Sequence, residues 1–229
     1  MRRLLCATSL LLFCVAAHAQ STFDIAASAF SGEQPIGVMT SITKAQAIKT
    51  FTPILKESTN SAGFVIAAFA LAMKGVDVDA NLSRLVLPIK DAHDEKIEEL
   101  TATHGLAENQ ILIEDIPNAI YAIYKSRQST SALKTLLTMP VDWPAAEYRD
   151  DCVMTVLRND PKPVIALASG DAKIYATLWD ILDWNVGSMK DRNNFIGRLQ
   201  TIRWKTVPLK KTAMKLAHDL ATPKNRPAK

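Results

Sequence analysis

Residues Ala62 to Met73 read Ala-Gly-Phe-Val-Ile-Ala-Ala-Phe-Ala-Leu-Ala-Met, apolar on almost every side, and the run stops at Lys74-Gly75. It is too short to cross a bilayer, which takes about 20 such residues. A helix with no polar stripe has to be enclosed on all sides, so this one is expected at the centre of a larger helical bundle. The rest of the chain can supply that enclosure. Its 229 residues are 48% apolar and only 7% aromatic, a globular balance that excludes disordered, collagen-like and disulfide-scaffold classes.

Only eight glycines occur, and strict apolar-polar alternation is scarce, which counts against a β-sandwich or barrel. The 3.6-residue period predicts an all-α chain: a multi-helix bundle or a short irregular array of helical hairpins. Residues 20–40, with breakers Gly32, Pro35 and Gly37, are expected as an irregular lead-in to one all-α domain over 41–221. Helices are expected over Ser41 to Lys56 with a break near Pro53, Ala62 to Met73, and Asp91 to Thr103. Between the last two lie a turn at Asp77 to Asn81 and a short element Leu82 to Leu87 closed by Pro88. Further helices are expected over Glu108 to Glu114, Pro117 to Lys125, Ser129 to Met139, Pro144 to Leu157 and Pro163 to Ala168. Asp171 to Trp184, Ser188 to Arg203 and Pro208 to Ala221 complete the series, and residues 222–229 form a basic tail.

The chain opens with Arg2-Arg3, an apolar run from Leu4 to Ala17 and the small-residue pattern Ala17-His18-Ala19. That order predicts a signal peptide over 1–19, cleaved before Gln20, and an exported, periplasmic or extracellular protein. Arg2-Arg3 as a twin-arginine signal and Cys14 as a lipid-carrying cysteine are the rival readings; the arginines lack the extended motif, and Cys14 follows bulky Phe13. No later segment is long enough for a membrane helix. Cleavage leaves Cys152 as the one thiol, on the apolar face of a helix, where it is expected as a small buried hydrophobe rather than a nucleophile.

Ser131 to Met139 and Ala145 to Leu157 form one expected hairpin, and Pro163 to Ala168 with Ala172 to Leu182 repeat that layout about thirty residues later. Over residues 130–184 the chain resembles HEAT-like helical repeats, with a leucine-rich first helix, an Asp- or Pro-marked turn and an alanine-bearing second helix. The resemblance implies a stacked scaffold.

Catalytic signatures are sparse. His93 and His104 lie eleven positions apart, about three helical turns, too far to share one ion without loop folding. With Asp94 they are the one conceivable metal-dependent hydrolytic centre; otherwise Asp91, Asp94, Glu95, Glu98 and Glu99 are a solvated acidic face. Asp77-Val78-Asp79 lacks the glycine and closing glutamate of a calcium loop, and Asp150-Asp151 beside Arg149 is expected on a helix surface. Gly170-Asp171 reads as a helix stop followed by an N-cap. No metal, cofactor or catalytic residue is assigned, and a non-catalytic binding or scaffold role is expected. Tyr175, Trp179 and Leu182 share a stripe expected in the core; Trp184 and Trp204 are expected to pack there too, unless exposed as partner anchors.

Charge singles out the C-terminus. Residues 190–229 hold eleven Lys or Arg against Asp191 and Asp219, a net +9, whereas residues 20–189 hold fourteen basic and twenty-one acidic residues, a net −7. In Val207 to Ala221, Leu209, Ala213, Leu216, Ala217 and Leu220 form one helical face, and Lys210, Lys211 and Lys215 project from the other. Such a helix either caps an open core or docks an anionic partner: an acidic protein, this or another copy included, an envelope polymer or a lipid surface. The candidate partner-binding residues are Trp204, Lys205, Lys210, Lys211 and Lys215. A thin Ala/Leu side without aromatics weakens the lipid option, and export argues against nucleic acid.

Overall fold

The computed structural model describes residues 21–56, 61–95 (backbone alone over 90–95), 115–141, 145–186 and 188–222. The expected signal peptide 1–19, the expected helix at Glu108 to Glu114 and the tail from 223 lie outside the described residues. The fold is all-α: eleven α-helices and two 3-10 segments, with no strand, among the described residues. The helices are α1 (Thr22–Phe30), α2 (Lys44–Phe51), α3 (Ala62–Met73), α4 (Val78–Glu95), α5 (Asp115–Arg127), α6 (Thr130–Thr138), α7 (Ala145–Asn159), α8 (Lys162–Gly170), α9 (Ala172–Asn185), α10 (Met189–Thr201) and α11 (Val207–Ala221).

The apolar run is α3, and every one of its residues is buried. Ser61 starts it by accepting a hydrogen bond from the Phe64 amide at 3.1 Å, which satisfies one of the amides a helix start leaves open. It ends in a Schellman turn: the Gly75 N–H donates to Ala72 and the Val76 N–H to Leu71, both at 3.0 Å. Gly75 sits at φ +70, with the Arg127 guanidinium where a Cβ would stand. Its alanines let α1, α2, α4 and α5 approach closely on all sides. Phe69 meets the edge of the Phe30 ring from α1 at 5.4 Å, a pairing that adds about 1 kcal/mol beyond the area it buries.

Three expectations are corrected here. The first part of the irregular lead-in is a helix, α1, started by a capping box in which Ser21 and Asp24 satisfy each other's backbone amides, and the breakers fall in the turn after it and at the 3-10 segment Ile36–Ser41. Ala26, Ala27 and Phe30 of α1 belong to the same apolar cluster as Leu220 near the C-terminus, so the lead-in is part of the domain core. The turn and short element expected from Asp77 onward, with the first residues of the polar helix expected over Asp91 to Thr103, are instead one helix, α4, running through Pro88 to Glu95. Residues 96–103 lie outside the described residues. Pro88 removes one backbone bond from α4. Leu82, Leu85, Val86 and Ile89 form an unbroken buried stripe across it, and packing against α3 and α6 outweighs that loss. The expected helix Ser41 to Lys56 is shorter at both ends: Thr43 caps α2, the helix stops at Phe51 before Pro53, and Ile54–Lys56 is a 3-10 turn.

Beyond α5 the helices pair with their neighbours. α6 packs on α5, α7 and α9, α8 on α9, and α7 on both α5 and α9. α11 lies on α8 and α9, and α10 covers α11 from outside.

Candidate functional site

The basic C-terminal segment is an antiparallel hairpin, α10 and α11. Ser188 caps α10, accepting from the Asp191 amide at 3.0 Å, and Thr206 caps α11, accepting from the Leu209 amide at 3.5 Å. Between them Trp204 is half-buried, and its indole N–H donates to the Leu199 carbonyl at 3.0 Å, holding the link against the end of α10. That bond makes Trp204 a strut of the hairpin.

The apolar side of α11 faces inward as the sequence pattern requires: Ala213, Leu216, Ala217 and Leu220 are buried against α8 and α9. One carboxylate is buried with them. Asp219 accepts the Tyr175 hydroxyl of α9 at 2.8 Å and the Lys215 ammonium at 2.8 Å, while that ammonium stands 4.0 Å above the Tyr175 ring. Burial, and then the hydrogen bond to Asp219, push the Tyr175 hydroxyl far above its usual range, so it stays a donor. Two arginines fasten the outer helix. Arg192 donates to Asp183 at 3.1 Å and to the Leu220 carbonyl at 3.3 Å, where a cation also suits the negative end of α11. Arg198 donates to the Arg158 carbonyl at the end of α7 at 2.8 Å.

These bonds divide the candidate lysines. Lys215 is consumed internally by Asp219 and Tyr175. Lys205, Lys210 and Lys211 are exposed, and among the described residues no carboxylate lies within ion-pair distance of them. Three cations thus project from the link and the first two turns of α11, over a helix whose Ala213, Leu216, Ala217 and Leu220 are spent on the core and whose first residue, Val207, is exposed.

The remaining candidates fall elsewhere. His93 is placed only by its α4 backbone, and His104 lies outside the described residues. Among the described residues no group of three or more His, Cys, Asp or Glu could hold a metal. The Asp77 carbonyl accepts the Asn81 amide at 2.9 Å in the first turn of α4. Asp150, expected on a surface, is buried: Arg149 binds one of its oxygens at 2.6 Å and the Asn185 amide of α9 the other at 3.3 Å. Asp151 beside it is exposed. Cys152 is buried as expected; burial, and next the charge of Asp151, push its thiol up to about 12, which leaves no thiolate at neutral pH. Trp179 and Tyr175 are in the core, whereas Trp184 is 81% exposed, Val207 80% and Met189 68%. No described helix is long and apolar enough to cross a membrane.

Arg192, Arg198 and Asp219 hold the hairpin in place, and sequence reasoning assigned them no such part. For Asp219 a signal existed, since Lys215 precedes it by four residues on one helix. The partners of the two arginines lie on other elements and left no local trace. Comparison of the chain with protein families, curated proteins and solved structures finds no match.

Proposed function

We propose that the chain is an exported helical scaffold that binds an acidic protein surface through Lys205, Lys210 and Lys211. Export rests on the leader-like first nineteen residues. The scaffold part draws support from the stacked hairpins α6–α7 and α8–α9, in the layout for which residues 130–184 resemble HEAT-like repeats. The observation that carries the docking part is the division of labour on α11. Ala213, Leu216, Ala217 and Leu220 are buried in the chain's own core, and among its large apolar side chains only Val207, at the first position, is exposed. Its first lysines face solvent with no carboxylate within ion-pair distance among the described residues. A helix in that state offers charge and a single exposed valine, too little apolar surface to sink into lipid, which favours a charged protein surface over membrane insertion.

Binding to immobilised polyglutamate tests this. Retention at about 0.1 M salt and release near 1 M, where the screening length falls from ~10 to ~3 Å, is expected. Replacing Lys205, Lys210 and Lys211 together with Glu weakens binding at least about tenfold, the effect of ~1.4 kcal/mol. Equal retention of the substituted chain, or uptake by anionic lipid vesicles in place of polyglutamate, contradicts the proposal.

A further inference from the structure

We infer that Lys44, Lys74 and Arg127 bind a small tetrahedral oxyanion, phosphate or sulfate, at the C-terminal end of α3. The docking lysines sit on the α10–α11 hairpin, which packs on α8 and α9, so this second site does not rest on the docking reading. Its three cations come from three elements that meet at Gly75. Lys44, the first residue of α2, donates from Nζ to the Gly75 carbonyl at 3.4 Å. Arg127, the last residue of α5, lays its guanidinium against Gly75 and donates to the Met73 carbonyl at 3.3 Å. Lys74, between those two carbonyls in sequence, donates to the Met39 carbonyl in the 3-10 segment, five residues before Lys44.

Part of this arrangement is helix capping, since the last carbonyls of a helix attract cations and amount to about half a negative charge. Three full positive charges exceed that. Among the described residues no carboxylate lies within ion-pair distance of any of the three. Burial pushes the Lys74 ammonium down from its usual value, because nothing of opposite charge replaces the hydration it loses. The carboxylates closest in sequence, Asp77 and Asp79, are exposed and stand just before and within the first turn of α4, where they suit the positive end of that helix. Counted in full, three cations against these two carboxylates still leave one positive charge at the end of α3.

The donors are also not used up. An ammonium carries three N–H groups and a guanidinium five, and each of these side chains gives one bond to a backbone carbonyl. Lys44 and Arg127 are exposed and Lys74 is half-buried, so an anion reaches them from solvent. A carboxylate would be satisfied by the Arg127 fork alone, whereas a tetrahedral anion has oxygens left over for the lysines. Bound there, it ties α2 and α5 to the end of the central helix and stabilises the fold.

Inorganic phosphate titrated against the purified chain at fixed ionic strength tests this, read by broadening of the phosphorus NMR line and by the thermal midpoint. Broadening that saturates is expected, with a midpoint that rises with phosphate and with sulfate but not with sodium chloride of the same ionic strength. Lys44→Ala and Arg127→Gln each weaken phosphate binding at least about tenfold, the loss of one charge-assisted hydrogen bond. Arg127 also braces the turn after α3, so if its variant fails to fold, Lys44→Ala decides. A chain carrying Lys205→Glu, Lys210→Glu and Lys211→Glu is expected to bind phosphate as the native chain does. No broadening, a chloride effect equal to that of phosphate, full binding by Lys44→Ala, or loss of binding in the triple variant overturns the inference. Phosphate binding without retention on polyglutamate sinks the docking reading alone, and retention without phosphate binding sinks this inference alone.

Discussion

At the scale of single residues, the hairpin is held by Asp219. Its carboxylate is buried and takes hydrogen bonds from Tyr175 and Lys215, so removing it strands a buried hydroxyl, whereas removing the hydroxyl leaves Lys215 still paired. Asp219→Ala is therefore expected to cost about 2 kcal/mol and Tyr175→Phe about 1 kcal/mol, read as shifts in the urea midpoint. An Asp219→Ala chain with an unshifted midpoint would mean the cluster contributes nothing to stability. Cys152 supplies a pH dependence. Its thiol is raised from 9.0 to about 12 by burial, so the unfolded chain loses this proton first. Its contribution to stability is whole below pH 9 and falls as pH rises towards 12, in the same direction as that of Tyr175, whose hydroxyl is also raised. Cys152→Ala is expected to flatten the loss measured by denaturation between pH 9 and 11, and an unchanged slope would contradict it. The burial of Cys152, Tyr175 and Trp179 was legible from their places on apolar stripes. That of Asp150 and the exposure of Trp184 were not, because each depends on a neighbour from another helix.

Among the elements, α3 was legible from its sequence residue for residue, since an unbroken apolar run has one physical solution. α1 and α4 were misread for opposite reasons. For α1 the breakers Gly32, Pro35 and Gly37 that follow it mask the signal of Ser21-x-x-Asp24, a capping pair eight residues and more upstream of them. In α4 a proline was given the power to end a helix whose buried stripe, Leu82 to Ile89, passes straight across it. Local signals set the boundaries of isolated helices, and tertiary burial overrides them in a packed one. Gly75 shows where a local signal does decide. A side chain there is strained by φ +70 and collides with Arg127, which also donates to the Met73 carbonyl at 3.3 Å. Gly75→Ala is expected to cost about 1–2 kcal/mol in thermal or urea unfolding, against a gain of a few tenths wherever glycine is replaced without strain. A neutral result would show that the α3 turn is free to rearrange.

For the molecule as a whole, the charge split was fully legible in the sequence, and so was the orientation of the α11 faces. What the sequence left open was which lysines remain available, because that depends on Asp219 and Tyr175, 44 residues apart, coming together from two helices. Lys215 is held by them, and Lys205, Lys210 and Lys211 are left to meet a partner. The most direct measurement of that claim is lysine reactivity, mapped by limited acetylation and mass spectrometry with and without polyglutamate. Lys205, Lys210 and Lys211 are expected to lose reactivity on binding, while the exposed Lys49 of α2 and Lys134 of α6 are expected to keep theirs. Protection spread evenly over all these lysines, or confined to Lys49 and Lys134, would contradict the account.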